Sequence, residues 1–183
     1  LRLNARLAPH LYLEVVPVTG TSEAPRLGGE GKVLEYAVKM RRFDQTGLLS
    51  MRPLEGDLPE RVAERVAAFH AAIPSIDEDQ AFGTAEAVLL PMLANFEVIR
   101  SRSTNEAILE RLVSLEAWTR NRHLELTPLL RQRRADGFVR ECHGDMHRGN
   151  IALVEGEILI FDGIEFNPSL RWIDVQSELA FLL

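Results

Sequence analysis

The sequence predicts an α+β fold, because strand-forming runs near both ends enclose a long middle of helical periodicity. Residues 11–18 (Leu-Tyr-Leu-Glu-Val-Val-Pro-Val) and 33–40 (Val-Leu-Glu-Tyr-Ala-Val-Lys-Met) are rich in β-formers. From about 57 to 135 apolar residues recur at three- and four-residue steps, and short apolar runs return from 138 onward.

The chain opens in a helical pattern (Leu1, Leu3, Asn4, Leu7) and stops within an apolar segment at Ala180-Phe181-Leu182-Leu183, so both ends read as edges of a fragment. Gly20, Pro25, Gly28, Gly29 and Gly31 lie between the first two strands and predict a β-hairpin with a long loop. Asp57 and Glu60 have capping-box spacing, and Val62, Val66, Phe69 and Ile73 follow at helical steps. A second helix is expected from near Thr84 through Leu89, Leu93 and Phe96 to Ile99. Ser103 and Glu106 announce a third, which carries Ile108, Leu112 and Leu115 and continues toward Leu130. Pro91 and Pro128 predict kinks or breaks. Phe138–Glu141 reads as a short strand. Ile151–Val154 and Glu157–Phe161 flank Glu155-Gly156 as a compact hairpin.

Composition narrows the function. The 183 residues suit one domain, or a domain with part of another, and 46% hydrophobic content suffices for a core. With 21 basic against 27 acidic side chains the net charge is −6, which argues against a dedicated nucleic-acid binder. No apolar run approaches the ~20 residues that cross a bilayer, so no membrane partner is expected. One cysteine, Cys142, and no visible signal peptide suit a reducing, cytoplasmic setting. Nine arginines against five acids between residues 100 and 140 read as the solvated face of a helix rather than an anion site. His70, Cys142, Trp118 and Trp172 read as packing residues.

The densest reactive cluster is Cys142-His143-Gly144-Asp145-Met146-His147-Arg148-Gly149-Asn150, which leads into the second hairpin; Asp162 follows that hairpin. A two-residue turn would set Asn150 opposite Phe161 and diagonal to Asp162. A three-residue turn would set Asn150 opposite Asp162 itself. In either register an amide oxygen and a carboxylate converge at the hairpin's open end, and two hard oxygen donors suit Mg²⁺. Phosphoryl transfer needs such positioning, with Asp145 accepting or orienting the proton of an attacking hydroxyl. The five-residue step from Asp145 to Asn150 matches the Asp-to-Asn spacing of the protein-kinase catalytic loop.

His143-Gly144-Asp145-Met146-His147-Arg148-Gly149-Asn150, with Phe161-Asp162-Gly163 after it, resembles the aminoglycoside phosphotransferase-like family of small-molecule kinases. Phe166–Asp174 and Ser177–Phe181 resemble a bacterial branch of that family, often fused to a C-terminal P-loop ATP-binding domain. Tyr36–Phe43 and Phe69-His70-Ala71 extend the likeness over most of the chain.

The resemblance implies a protein-kinase-like fold with a mostly helical C-lobe that carries the catalytic hairpin. Residues 1–43 would be the remnant of a small N-lobe (helix end, two strands, hinge), and 44–183 a truncated C-lobe. It further implies a kinase that transfers the γ-phosphate of ATP to a small-molecule hydroxyl. Asp145 would be the catalytic base, and Asn150 and Asp162 the Mg²⁺ ligands. Backbone groups of Met40, Arg41, Arg42 and Phe43 would receive adenine, while His143 and His147 would support the loop. The acceptor is not legible, and the family's name does not make it an aminoglycoside.

Two departures stand out. The family usually shows Asp where this chain has Glu178, a change read as structural. The nucleotide-anchoring lysine is missing. Gly29-Glu30-Gly31-Lys32 and Lys39 imitate a glycine-rich loop and lysine strand, but Val33 and Lys39 share one strand of roughly 20 Å at ~3.3 Å per residue. The fragment alone is therefore expected to bind ATP poorly. Two rival readings remain: a non-catalytic kinase-like module that binds a nucleotide or a protein, and a zinc hydrolase built on Cys142, His143, Asp145 and His147.

Overall fold

Three β-forming runs near the N-terminus pair into one antiparallel sheet: β1 (Tyr12–Thr21), β2 (Ala24–Leu27) and β3 (Val33–Met40), in the order β2-β1-β3. The structure, a computed structural model, describes residues 1–182. β1 pairs with β3 from Tyr12 opposite Met40 to Thr19 opposite Val33, which is the expected hairpin. The intervening loop is not irregular throughout. It turns at Ser22-Glu23 and sends β2 back along the other side of β1, with Thr21 opposite Ala24. Pro25 gave no strand signal because it lacks an N–H, yet an edge strand tolerates it.

The rest of the chain is helical with two further strand pairs. A short helix α1 (Arg2–Ala5) precedes the sheet; α2 (Leu58–Ala72), α3 (Ala85–Arg102) and α4 (Glu106–Ala135) follow it. Then come β4 (Val139–Glu141), β5 (Ile151–Val154), β6 (Glu157–Ile160), β7 (Trp172–Asp174) and α5 (Val175–Leu182). The fold is α+β, as expected. No helix among the described residues is long and apolar enough to cross a membrane.

Packing divides the chain into two units. One comprises 1–72, 145–165 and the described residues from 179 onward; the other comprises 73–144 and 166–178. In the first unit, α2 buries Leu58 together with Val62, Val66 and Phe69 of the expected stripe, and ends one residue before Ile73. Asp57 lies 3.8 Å from Arg61, one turn on. Ala8, Leu11 and Tyr12 form a buried cluster with Phe43, Leu159 and Phe161 packed on it. This cluster groups the hairpin β5–β6 with the N-terminal segment, although some 150 residues separate them in sequence. Along β3 the side chains are almost all exposed.

In the second unit α3 and α4 run antiparallel, tied by Arg100 to Glu116, by His123 Nε2 to the Ala85 carbonyl, and by Arg131 to Glu86. Neither Pro91 nor Pro128 breaks its helix. Each removes one backbone bond, but ties between the helices stand on both sides of each proline. Thr84 caps α3 by accepting the Ala87 N–H. The expected cap of α4 is displaced: Asn105, not Ser103, accepts the Ile108 N–H. Only three residues join the helices, and Ser103 is already spent closing α3, where its N–H reaches the Ile99 carbonyl. Leu112 is buried on α4, whereas Ile108, Leu115 and Trp118 are exposed. The packing role expected of Trp118 is therefore not met, because α3 covers only a narrow stripe of α4.

Three arginines at the end of the arginine-rich stretch are spent on internal partners. Arg133 clamps Asp174 through Nε and Nη2 at 2.7 and 2.8 Å and stacks on Phe138. Arg134 reaches the carbonyls of Phe82, Asp77, Glu78 and Gln80. Arg140 donates to the Gly137 and Ile73 carbonyls. β4 pairs antiparallel with β7, a strand that carried no pattern of its own at three residues.

Candidate active site

The hairpin register follows from its turn. Glu155 and Gly156 both take positive φ, 50° and 84°, the mirror-image turn that closes a two-residue loop. Ile151 then pairs with Ile160 and Val154 with Glu157. The Phe161 N–H donates to the Asn150 carbonyl at 3.0 Å, which carries the ladder one residue further. Asn150 is therefore opposite Phe161, and Asp162 is the next residue out; the three-residue alternative does not occur.

The loop before β5 folds on itself. Asn150 is buried, and its Nδ2 donates to both the backbone carbonyl and Oδ2 of Asp145, at 3.0 and 3.2 Å. With the amide nitrogen so committed, Oδ1 is the atom Asn150 would offer a cation. The Asn150 N–H also donates to the His147 carbonyl at 2.8 Å. His147 Nδ1 accepts the Gly149 N–H at 3.0 Å. A neutral His147 therefore carries its proton on Nε2, which lies 3.8 Å from Asp145 Oδ2. Gly149 leaves room for the imidazole: a Cβ there would sit 2.8 Å from His147 Cε1 and make the ring shift. Met146, fully buried, anchors the loop.

Arg148 ties this loop to the segment after the 3₁₀ turn Gln45–Gly47. Its Nε and Nη2 reach the Leu49 carbonyl at 3.0 and 2.6 Å, and Nη2 also reaches the Arg52 carbonyl at 2.7 Å. Leu49 N–H donates in turn to the Ile151 carbonyl. Nothing in the sequence assigned Arg148 that role.

Asp162 is exposed and takes φ 63°, a left-handed conformation uncommon for a residue with a side chain. Its N–H donates to the Tyr12 hydroxyl oxygen at 2.8 Å, and the Gly163 N–H donates to Asn4 Oδ1 at 2.7 Å. Tyr12 and Asn4 are both buried. Burial, with the nearby carboxylates of Asp162 and Glu165, pushes the Tyr12 hydroxyl above its ordinary pKa, and the Asp162 N–H partly opposes this. No local pattern could mark Asn4 or Tyr12, since their partners lie about 150 residues away.

The other sequence candidates are distributed as follows. His143 is buried; its N–H and that of Gly144 both donate to Glu178 Oε1 at 2.7 Å. These three residues belong to the second unit, whereas Asp145, His147, Asn150 and Asp162 belong to the first. Met40 pairs with Tyr12 in the sheet, and the Arg41 N–H donates to the Leu11 carbonyl at 2.8 Å. Phe43 stacks edge-on to Phe161 at 5.4 Å, which links the expected hinge to the residue before Asp162. Arg41, Arg42 and Phe43 line a cavity of about 680 Å³ with Leu153, Glu157 and Leu159. Lys39 is paired with Glu14 at 2.7 Å on the exposed sheet.

The donor set fits the expected cation in kind. An amide oxygen and a carboxylate are the hard ligands Mg²⁺ takes, and it fills its remaining positions with water and phosphate oxygens. The alternation a zinc site would need is absent from the loop. Gly144 turns at φ 88°, and the buried Cys142 lies with its Sγ 3.5 Å from the Ile173 carbonyl.

A family model described as "Phosphotransferase enzyme family" matches residues 1–162. Three uncharacterized proteins, one of Mycobacterium bovis and two of Mycobacterium tuberculosis, are each 30% identical over 191 residues. Those alignments take in 98% of this chain and 35% of each relative, so the chain spans about a third of their length. No solved structure matches the chain.

Proposed function

Because the chain belongs to the phosphotransferase enzyme family, we propose that it is part of an ATP-dependent kinase that phosphorylates a small-molecule hydroxyl. The observation that carries this reading is the double hydrogen bond from Asn150 Nδ2 to Asp145, with Asp162 one residue beyond Asn150's ladder partner.

Each group then has a task. Asp145 accepts the proton of the acceptor hydroxyl as its oxygen attacks the γ-phosphorus; ADP leaves and the phosphate ester remains. Asn150 holds the Asp145 carboxylate in orientation through Nδ2 and turns Oδ1 toward the metal position. The Asp162 carboxylate supplies the second protein ligand. Bound by these two, Mg²⁺ would neutralise charge on the phosphate oxygens. His147 and His143 support the loop from either side of Asp145. Met40, Arg41, Arg42 and Phe43 receive the adenine. With the Arg41 N–H spent on Leu11, the backbone of Arg42 and Phe43 meets its edge. The setting is cytoplasmic, and the parent chain carries a P-loop ATP-binding domain C-terminal to this part.

The test is phosphate transfer by the full-length protein and its Asp145→Ala variant, followed with γ-labelled ATP over a panel of hydroxyl compounds. Loss of transfer by about 10²- to 10⁴-fold with nucleotide binding retained supports the assignment. Equal rates remove Asp145 from catalysis. A second reading, a non-catalytic kinase-like module, is favoured by one observation: Lys39 is paired with Glu14 on the exposed sheet. Nucleotide binding without transfer in the full-length protein would select it.

A further inference from the structure

We propose that Tyr12 and Asn4 are positioning residues that set the metal affinity of Asp162 by anchoring the peptide groups on both sides of its Cα. The inference rests on the reading of Asp162 as a metal ligand and goes beyond it.

Asp162 occupies a left-handed conformation that is strained for a non-glycine residue. It persists only where its surroundings over-determine it. Two side-chain oxygens do so here. The Tyr12 hydroxyl takes the Asp162 N–H at 2.8 Å, and the Asn4 carboxamide takes the Gly163 N–H at 2.7 Å. These two nitrogens are the first and last atoms of the Asp162 ψ torsion, so anchoring both fixes that torsion and the direction in which the side chain leaves the backbone.

The anchors are themselves rigid. Tyr12 is buried beside Ala8 and Leu11 and is paired with Met40. The Asn4 carbonyl accepts the Leu7 and Ala8 N–H groups, which holds the turn that buries its side chain. Asp162 itself is exposed. Released from these bonds it would relax toward extended conformations and carry its carboxylate away from Asn150. A ligand held in its binding direction before the metal arrives avoids an ordering cost on binding.

The experiment titrates the full-length protein with Mn²⁺ and reads the paramagnetic broadening of the Asn150 side-chain amide and the Gly163 backbone amide. Tyr12→Phe removes one acceptor and keeps the ring; Asn4→Leu removes the other. Each is expected to raise the Mn²⁺ concentration for half-broadening by about three- to tenfold, measured at a temperature where the variant is fully folded. Asn4→Asp, which keeps an acceptor oxygen, should return it toward wild type. Asp162→Ala should abolish the broadening. If Asp162→Ala abolishes it while Tyr12→Phe and Asn4→Leu leave the half-point within about twofold, the anchoring role is wrong and the metal reading stands. If Asp162→Ala changes nothing, the metal reading falls and the anchoring role with it. Tyr12→Phe decides the matter should Asn4→Leu fail to fold.

Discussion

Glu178 Oε1 accepts two backbone hydrogen bonds, from His143 and Gly144, each at 2.7 Å, and the carboxylate is almost completely buried. One oxygen thus satisfies two successive N–H groups at the start of the loop that continues into Asp145. Both bonds lie at the short end of the N–H···O range.

Removing this carboxylate strands one buried and one partly buried donor. Glu178→Ala is expected to lower unfolding stability by about 3 kcal/mol, measured by urea denaturation. Glu178→Gln keeps one acceptor oxygen and should cost about 1 kcal/mol. Equal stability of all three proteins would show that the two bonds contribute nothing.

Gly149→Ala tests the histidine next to the proposed base. The new Cβ would fall 2.8 Å from His147 Cε1, so the ring must rotate and Nε2 must leave its place facing Asp145. Transfer by the full-length protein should fall about tenfold or more, with stability changed by less than about 1 kcal/mol. A variant as active as the parent would show that the orientation of His147 is immaterial.

Tyr12 provides a pH signature. Its pKa is raised by burial and by the carboxylates of Asp162 and Glu165, so the folded chain holds this proton more tightly than the unfolded chain. The stability it contributes is complete below about pH 10, the ordinary tyrosine value, and is lost as pH rises through the higher folded value. Ultraviolet titration should show a phenol ionising above that ordinary value, and Tyr12→Phe should remove it and flatten the alkaline decline in stability. A wild-type spectrum with no late component would contradict this.

Arg133 and Asp174 form a bidentate pair that is mostly shielded from solvent. Asp174 Oδ1 also accepts the Gln176 N–H at the start of α5. Asp174→Asn should destabilise the chain by about 1–2 kcal/mol, and Arg133→Met by a similar amount. In the double variant the losses should fall short of additive, since each single change already breaks the same pair. Strict additivity in thermal unfolding would mean that the two residues act independently.

Much of the site was legible locally. Asp145 and Asn150 were marked by their spacing, and Glu155-Gly156 signalled a tight turn whose two possible lengths left the register of Asn150 open. Positive φ at both turn residues selected the shorter one. Glu178 was visible as a departure from the family pattern, but its two N–H partners were not, because they lie 34 and 35 residues away. Capping misled once: Ser103 and Asn105 are both good cap residues, and the three-residue connection between α3 and α4 decided which of them served α4.

Periodicity and turn chemistry act over a few residues, and so the α2 stripe, the β5–β6 hairpin and the Asp145–Asn150 loop could be read along the chain. Long-range partners cannot be read in this way. That Tyr12 and Asn4 hold the backbone at Asp162, that Arg148 is spent on Leu49 and Arg52, and that Trp118 stays exposed depend on which surfaces meet after folding. A hydrogen bond across 150 residues leaves no periodic trace, because its two ends need only be polar and close once the segments between them have packed.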